Sequence, residues 1–456
     1  MNRRSFLAAS AGFPAILSAQ TRSEERPNIL WILSEDHGPQ LTCYGHPALR
    51  TPNIDRLAAT GVRFSRAFTT APVCSASRSA FNTGVYQTST GAHHHRSHRT
   101  DGFKLPSDVR LISHRMKDAG YFTANILEFA PGVKGSGKTD LNFNGDKPFE
   151  GTHWNQRKPG QPFYAQVNFT APHKGPAFVQ ARKQKHLTDP ASVPLPPYYP
   201  DHPVVRDEVA NFHDAINLLD TQVGVLLEKL DEDKLLDNTI IFFFGDNGTC
   251  LIRGKQWLYD RGIHVPLIAR FPDRYLPKDT KPGTVRDDLA IALDITATSL
   301  DLAGIPIPSR FDGRPLFGSA AKPREHIIAA RDRCDMTMDR IRCVRDSRYK
   351  FIRNFMPERP YTQYNNYIQT QYPTLGVMQQ LFADGKLNDV QSLFMQPRKP
   401  EIEFYDTQSD PWEVKNLANA PEHASRIKQM SATLDQWIRE TGDKGAMVEP
   451  DSAKVM

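Results

Sequence analysis

The run Cys74-Ser75-Ala76-Ser77-Arg78, continued by Ser79-Ala80-Phe81-Asn82-Thr83-Gly84, sets a small nucleophile-bearing residue and a cation one helical turn apart. An apolar approach over 68–73 precedes it, so the pair is predicted to open a helix and to face one pocket from its N-terminal end. Such a pocket suits an anionic substrate. A cysteine at a helix N-terminus beside an arginine is expected to be a reactive thiol with a depressed pKa. A packed structural cysteine is the alternative, and it needs no arginine at that spacing.

Oxygen ligands come from two distant places. Residues 28–33 form an apolar run of strand length that stops at Ser34-Glu35-Asp36-His37-Gly38, and residues 238–244 form another that stops at Gly245-Asp246-Asn247-Gly248. Open α/β sheets place their sites at the carboxyl ends of buried parallel strands. Two such strand ends can bring Glu35, Asp36, Asp246 and Asn247 to one hard cation, Ca²⁺ being suited to carboxylate and amide oxygens; simple solvation of adjacent acids in a turn is the alternative.

The elements between them alternate. Helices are predicted over 53–60, 105–119 and 205–230, the last carrying Val205, Val209, Phe212, Ile216, Leu219, Val223, Leu226 and Leu230 at spacings of three and four. Strands are predicted over 121–127, 163–169 and 265–271, with a further helix over 288–303 before Gly304 and Pro306. This alternation predicts an α/β fold, a mostly parallel sheet with helices on both faces, over 24–315. The Pro-rich stretch 190–203 reads as a surface connection. Beyond 320 the pattern changes: 340–345 and 348–353 alternate around Asp346-Ser347, which predicts an antiparallel hairpin, and an amphipathic helix follows over 421–440. A smaller α+β unit with an antiparallel sheet is expected over 320–445.

Composition narrows the classes. A chain of 456 residues, 39% hydrophobic, can bury a large core, and a net charge of +6 without basic-aromatic clustering excludes a nucleic-acid footprint. The five cysteines form no metal-type Cys-x-x-Cys pair, and their odd number leaves at least one unpaired. Arg3 and Arg4 precede an apolar run ending Leu17-Ser18-Ala19, which reads as a twin-arginine export signal over 1–19. No later apolar stretch approaches membrane length, so an exported periplasmic or secreted protein without a membrane anchor is expected. Residues 132–139 fit the phosphate-cradling pattern Gly-x-x-x-x-Gly-Lys-Thr, but Pro131 interrupts the approach and 140–145 is poor helix material, so no nucleotide site is expected.

The segment from Cys74 to Gly84 resembles the signature of the type I sulfatases, Cys-x-Pro-Ser-Arg followed by x-x-x-Leu-Thr-Gly, with Ala76 for the proline and Asn82 for the leucine. The resemblance implies an alkaline-phosphatase-like fold, oxidation of Cys74 to formylglycine by a maturing enzyme, and a Ca²⁺ site at Glu35, Asp36, Cys74, Asp246 and Asn247, with Glu35 in place of the usual aspartate. It further implies that Arg78 fixes the formylglycine hydrate. Gly137-Lys138 matches the Gly-Lys-x-His motif, whose histidine is here Asp140. Pro172-His173 and Gly254-Lys255 match segments that supply further cations. Lys138, His173 and Lys255 are thereby implied at the sulfate.

The likeness covers nearly the whole chain after the leader and leans toward the sulfamidase branch, the N-sulfoglucosamine sulfohydrolases, in the segment from Tyr349 to Phe355. It implies hydrolysis of sulfate esters or sulfamates on a sulfated oligosaccharide, with heparan-type N-sulfoglucosamine as the expected substrate. Within that pocket a member of His93-His94-His95-Arg96, namely His94 or His95, is expected to replace the missing motif histidine, and Arg331 to meet acidic groups of the substrate. O-sulfatase action on another polysaccharide, phosphate- or phosphonate-ester hydrolysis, and sulfated-glycan binding without turnover are the alternatives.

Overall fold

The computed structural model describes residues 26–95, 102–447 and 449, so the leader expected over 1–19 and Arg96 of the histidine cluster lie outside the described residues. The central sheet is built from β1 (Asn28–Ser34), β2 (Val62–Phe68), β3 (Phe122–Ile126), β6 (Phe163–Phe169), β7 (Thr239–Gly245), β8 (His264–Arg270) and β9 (Thr284–Ile291), and β4 (Glu128–Ala130) and β5 (Val133–Lys134) form a small side hairpin. Its order is β3-β6-β1-β7-β8-β2-β9, parallel throughout except for β8, which runs against both of its neighbours.

β1 and β7 occupy the middle because every one of their residues is buried. Alternate side chains leave the sheet in opposite directions. Leu30, Ile32, Ile241 and Phe243 enter one core, and Ile29, Trp31, Leu33, Phe242 and Phe244 the other. The first face is covered by the helix Pro203–Glu232, whose eight apolar positions named above are all buried. The second is covered by the helices Ile112–Asp118 and Ala292–Leu302. Trp31 anchors that second core, packing edge-on against Phe81, Tyr164 and Phe244 and donating its indole N–H to Ser299 Oγ at 3.0 Å.

Two helix expectations need correction. The helix expected over 105–119 starts at Ile112, after Leu111 in an extended conformation; residues 106–109 close a turn instead, the Val109 N–H donating to the Pro106 carbonyl at 2.9 Å. The helix expected over 288–303 starts at Ala292, because 289–291 continue β9 in register with 66–68 of β2. Asp294 Oδ2 then accepts the Ile291 N–H at 3.0 Å, which starts the helix there.

A second sheet has the order β10 (Ile327–Arg331), β11 (Ile341–Arg345), β12 (Tyr349–Asn354) and β13 (Ile402–Asp406), all antiparallel. Lys350 of β12 is fully buried and bridges Asp260 (2.5 Å) and Glu413 (2.7 Å), fastening this sheet to the loop after β7. That loop is drawn tight at Gly248, where an added Cβ would stand 2.1 Å from the Arg261 carbonyl oxygen. All five cysteines are unbridged. Among the described residues no helix is long and apolar enough to cross a membrane.

His46 and His213 pack edge to face, centroids 4.9 Å apart, within reach of the Arg261 charge. Burial, reinforced by Arg261, presses His46 down to about 4 and His213 to about 3. Both folded values lie below the ordinary one, so their stabilisation is present above about pH 6.5 and is lost as pH falls toward 4. Thermal unfolding followed from pH 7.5 to 4.5 should show a falling midpoint. Replacing both rings by glutamine should flatten that acid limb, and an unchanged limb would show that other groups drive it.

Candidate active site

The register of β1 against β7 pairs Ser34 with Gly245, which delivers Glu35-Asp36 and Asp246-Asn247 side by side at one sheet edge. Asp36 turns into the left-handed region (φ 53°), and its N–H donates to Asp246 Oδ1 at 3.0 Å. Asn247 Nδ2 donates to Asp36 Oδ1 at 3.0 Å, which leaves Asn247 Oδ1 buried without a partner. The helix Cys74–Phe81 begins against this edge, with Cys74 Sγ 3.4 Å from Asp36 Oδ1.

Arg78, one turn on, is wholly buried. Its Nε donates to Asp246 Oδ2 at 2.9 Å and its Nη1 to Asn168 Oδ1 at 2.7 Å, with Glu35 Oε1 at 3.6 Å from Nη2. Lys138 reaches in from the segment after the β4-β5 hairpin and sits between Glu35 Oε2 (2.8 Å) and Asp140 Oδ2 (3.2 Å). Lys255 Nζ lies 2.8 Å and His173 Nε2 3.8 Å from Asp36 Oδ2. The structure thus gathers Glu35, Asp36, Cys74, Arg78, Lys138, His173, Asp246, Asn247 and Lys255 from six separate stretches of chain.

The charges interlock. Burial by itself would raise the Asp36 carboxyl, but Lys255 and His173 hold it well below the usual carboxylate range. Burial would likewise lower Lys138 and Lys255, yet the facing acids and Cys74 keep both ammonium groups above their ordinary values. His173 is pushed down to about 4 by burial and then by Lys255, so its ring is neutral near pH 7. Cys74 overturns an expectation: burial first, and Asp36 second, push its thiol up rather than down. An unmodified Cys74 is a protonated, weak nucleophile here, because burial, with Asp36 added to it, outweighs the helix terminus.

The donor set fits a hard cation. Ligand atoms of Asp36, Cys74 and Asp246 lie within 4.8 Å of one another, as do those of Glu35, Cys74 and His173. Asn247 Oδ1 and Glu35 Oε1 are buried and accept no hydrogen bond. Carboxylate and amide oxygens of this kind suit Ca²⁺.

Three expected substrate contacts are placed otherwise. Arg331 is 2% exposed and spends its guanidinium on Asp339 (2.5 Å) and Thr337 (3.2 Å); a charge at this depth needs a fixed partner, and Asp339 supplies it. His94 is also 2% exposed, and its Nδ1 accepts the Arg333 backbone N–H at 3.2 Å, joining the two sheets' connecting segments. His95 bonds Ser75 Oγ through Nδ1 at 2.9 Å, one residue from Cys74, and its Nε2 stands 3.9 Å from Asp335. Asp140 keeps its motif position, in a left-handed turn (φ 51°), but pairs with Lys138.

Sequence reasoning missed Asn168 and Tyr367. Asn168 sits in the fully buried strand β6, and a polar residue inside an apolar run was its signal. Tyr367, whose ring lies 5.5 Å from Lys255 Nζ, had none.

Comparison with known proteins agrees with this arrangement. The Sulfatase family pattern matches residues 27–305, and the pattern described as N-sulphoglucosamine sulphohydrolase, C-terminal, matches 251–397. An ulvan-active sulfatase of Formosa agariphila is 33% identical over 95% of this chain and 78% of its own length. Human N-sulphoglucosamine sulphohydrolase is 26% identical over 91% of this chain and 90% of its own. A solved 2-O GAG sulfatase superposes with a TM-score of 0.65 at 21% identity, covering 94% of this chain and 95% of that one. A phosphonate monoester hydrolase from Silicibacter pomeroyi shares the fold at a TM-score of 0.64 and 17% identity, covering 92% and 96%. With a family pattern over more than half its length and 33% identity to a relative matched over 78% of that protein, the chain belongs to the sulfatase family and is a sulfuric ester hydrolase.

Proposed function

We propose that this enzyme removes sulfate from sugars of an anionic polysaccharide by nucleophilic attack from residue 74. The convergence of Cys74, Arg78, Lys138, His173 and Lys255 on one acid-lined edge carries the reading. Once a maturing enzyme had oxidised Cys74 to formylglycine, the hydrated aldehyde would be the nucleophile; Glu35, Asp36, Asp246 and Asn247 would hold Ca²⁺, whose positive charge would acidify that hydrate and offset the sulfate. Arg78, locked by Asp246 and Asn168, orients residue 74. Lys138 and Lys255 bind the sulfuryl oxygens, and each such donor is worth about 10²–10³ in rate. Lys255, kept as an ammonium ion, supplies the proton to the departing sugar atom, and His173, neutral beside it, hydrogen-bonds there. Export through a twin-arginine leader, and encounter with a formylglycine-installing enzyme, belong to the same reading.

Two substrates are in competition. Kinship with an ulvan-active sulfatase favours an O-sulfated algal-type polysaccharide. The match of 251–397 to the sulphohydrolase C-terminal pattern favours a terminal N-sulfoglucosamine of heparan type. Matured enzyme should be offered ulvan oligosaccharides, N-sulfoglucosamine and its O-sulfated counterparts, with released sulfate measured by ion chromatography. Release from ulvan fragments but not from N-sulfoglucosamine selects the first, and the reverse selects the second. Turnover of a phosphonate monoester with no sulfate release from any sugar would refute the proposal.

A further inference from the structure

The chain between β12 and β13 returns to the catalytic edge through the short helix Asn366–Gln371. It brings Tyr367 over the cations on one side of the pocket, its ring 5.5 Å from Lys255 Nζ and 6.3 Å from the His173 ring. The phenol is close enough to Lys255, Asp36 and Cys74 for their charges to act on it, and burial keeps it protonated. Its hydroxyl is buried and makes no well-aligned hydrogen bond, meeting only the hydroxyl of its edge-on neighbour Tyr372 in a poor geometry. A buried hydroxyl left unbonded costs about 1–3 kcal/mol, a cost that an incoming acceptor would remove.

Tyr367 is also held in place from the catalytic side. Asn365 caps its helix by accepting the Ile368 N–H at 3.1 Å, and donates from Nδ2 to Asp335 Oδ2 at 3.2 Å. Asp335, in a left-handed turn (φ 49°), faces His95, which bonds Ser75 at the start of the helix that Cys74 opens. The ring is therefore tied to the nucleophile through Asn365, Asp335, His95 and Ser75 rather than hanging from a loose loop.

We propose that Tyr367 is a substrate-contacting residue that receives the sugar carrying the scissile sulfate, packing its ring against a pyranose C–H face and donating its hydroxyl to a sugar oxygen. This rests on the proposed function above, which puts His173 and Lys255 on the leaving-group side. The sulfuryl oxygens already have Lys138 and Lys255, so a neutral donor beside them matches the uncharged hydroxyl or ring oxygens of the departing sugar. An aromatic body with a polar tip is the side chain suited to such a two-faced ring.

The test compares Tyr367→Phe and Tyr367→Leu with wild type, all matured, on a sulfated saccharide and on 4-nitrophenyl sulfate, whose leaving group has no sugar hydroxyls. The phenylalanine variant should raise KM for the saccharide about tenfold, as expected for one lost hydrogen bond, with a smaller change in kcat. The leucine variant should lose more. For both, the loss of kcat/KM on the saccharide should exceed that on the aryl sulfate by about tenfold. Equal losses on the two substrates, or none, would overturn the assignment of Tyr367 while leaving the sulfatase intact. Wild-type enzyme that cleaves the aryl sulfate but no sugar sulfate would instead strike the polysaccharide reading, and Tyr367 with it.

Discussion

Cys74→Ala is expected to abolish sulfate release, with a loss on the order of 10⁴–10⁶ in kcat, the range found when a covalent nucleophile is removed. The protein should remain folded. Cys74 is wholly buried, and truncation removes one sulfur while keeping the β-carbon. Arg78 keeps its bonds to Asp246 and Asn168 in the variant. Because burial raises the thiol's pKa, wild-type protein produced without maturation should be nearly as inert as the variant. Peptide mass across Cys74 separates matured from unmatured protein, and activity should follow the matured fraction. Sulfate release by the alanine variant, or by protein whose Cys74 is entirely a thiol, would sink the mechanism.

Asp246→Ala should damage both stability and turnover. Its carboxylate does two jobs at zero exposure, accepting the Asp36 N–H at 3.0 Å and the Arg78 Nε–H at 2.9 Å. Removing it leaves a buried guanidinium with Asn168 and a more distant Glu35, a change expected to cost about 3–5 kcal/mol because the remaining charge stays out of water. It also deletes one of the oxygens expected at Ca²⁺. The melting temperature should fall, bound calcium measured by mass spectrometry should drop well below that of wild type, and sulfate release should be lost. Asp246→Asn should restore part of the melting temperature, since the amide oxygen can still accept a hydrogen bond, but not the activity. A variant that melts like wild type and still holds calcium would show that Asp246 supports neither Arg78 nor the ion.

The apolar runs of β1 and β7 were legible because a strand buried on both faces must be continuously apolar, and the acids that follow them had no other place to go than the sheet edge. The 205–230 helix was equally plain, since its three-and-four spacing has one packing solution. By contrast, β2 and β9 escaped notice. Their sequences interleave arginine and aspartate with apolar residues, and β9 is only half-buried along its first part, so its strand identity comes from pairing with β2 and not from composition. The same pairing displaced the start of the helix expected at 288.

Residue types and spacing nominated the nucleophile position, its arginine and the acid pairs, because a helical turn and a strand end are local geometries that a few residues specify, and the motif resemblance singled them out. The tertiary structure decided what each charge faces. Arg331 and His94 looked available in sequence, but long-range packing puts Asp339 and the Arg333 backbone against them. Cys74 had every local mark of an activated thiol until the fold buried it and brought Asp36, nearly forty residues away in the chain, within 3.4 Å of it. Tyr367 has no motif, and reaches Lys255 only because the second sheet folds its β12-β13 connection back over the first. Desolvation and Coulomb interactions act through space over a few ångströms, so the sequence can nominate charged groups but cannot say which of them will be paired, buried or left to meet a substrate.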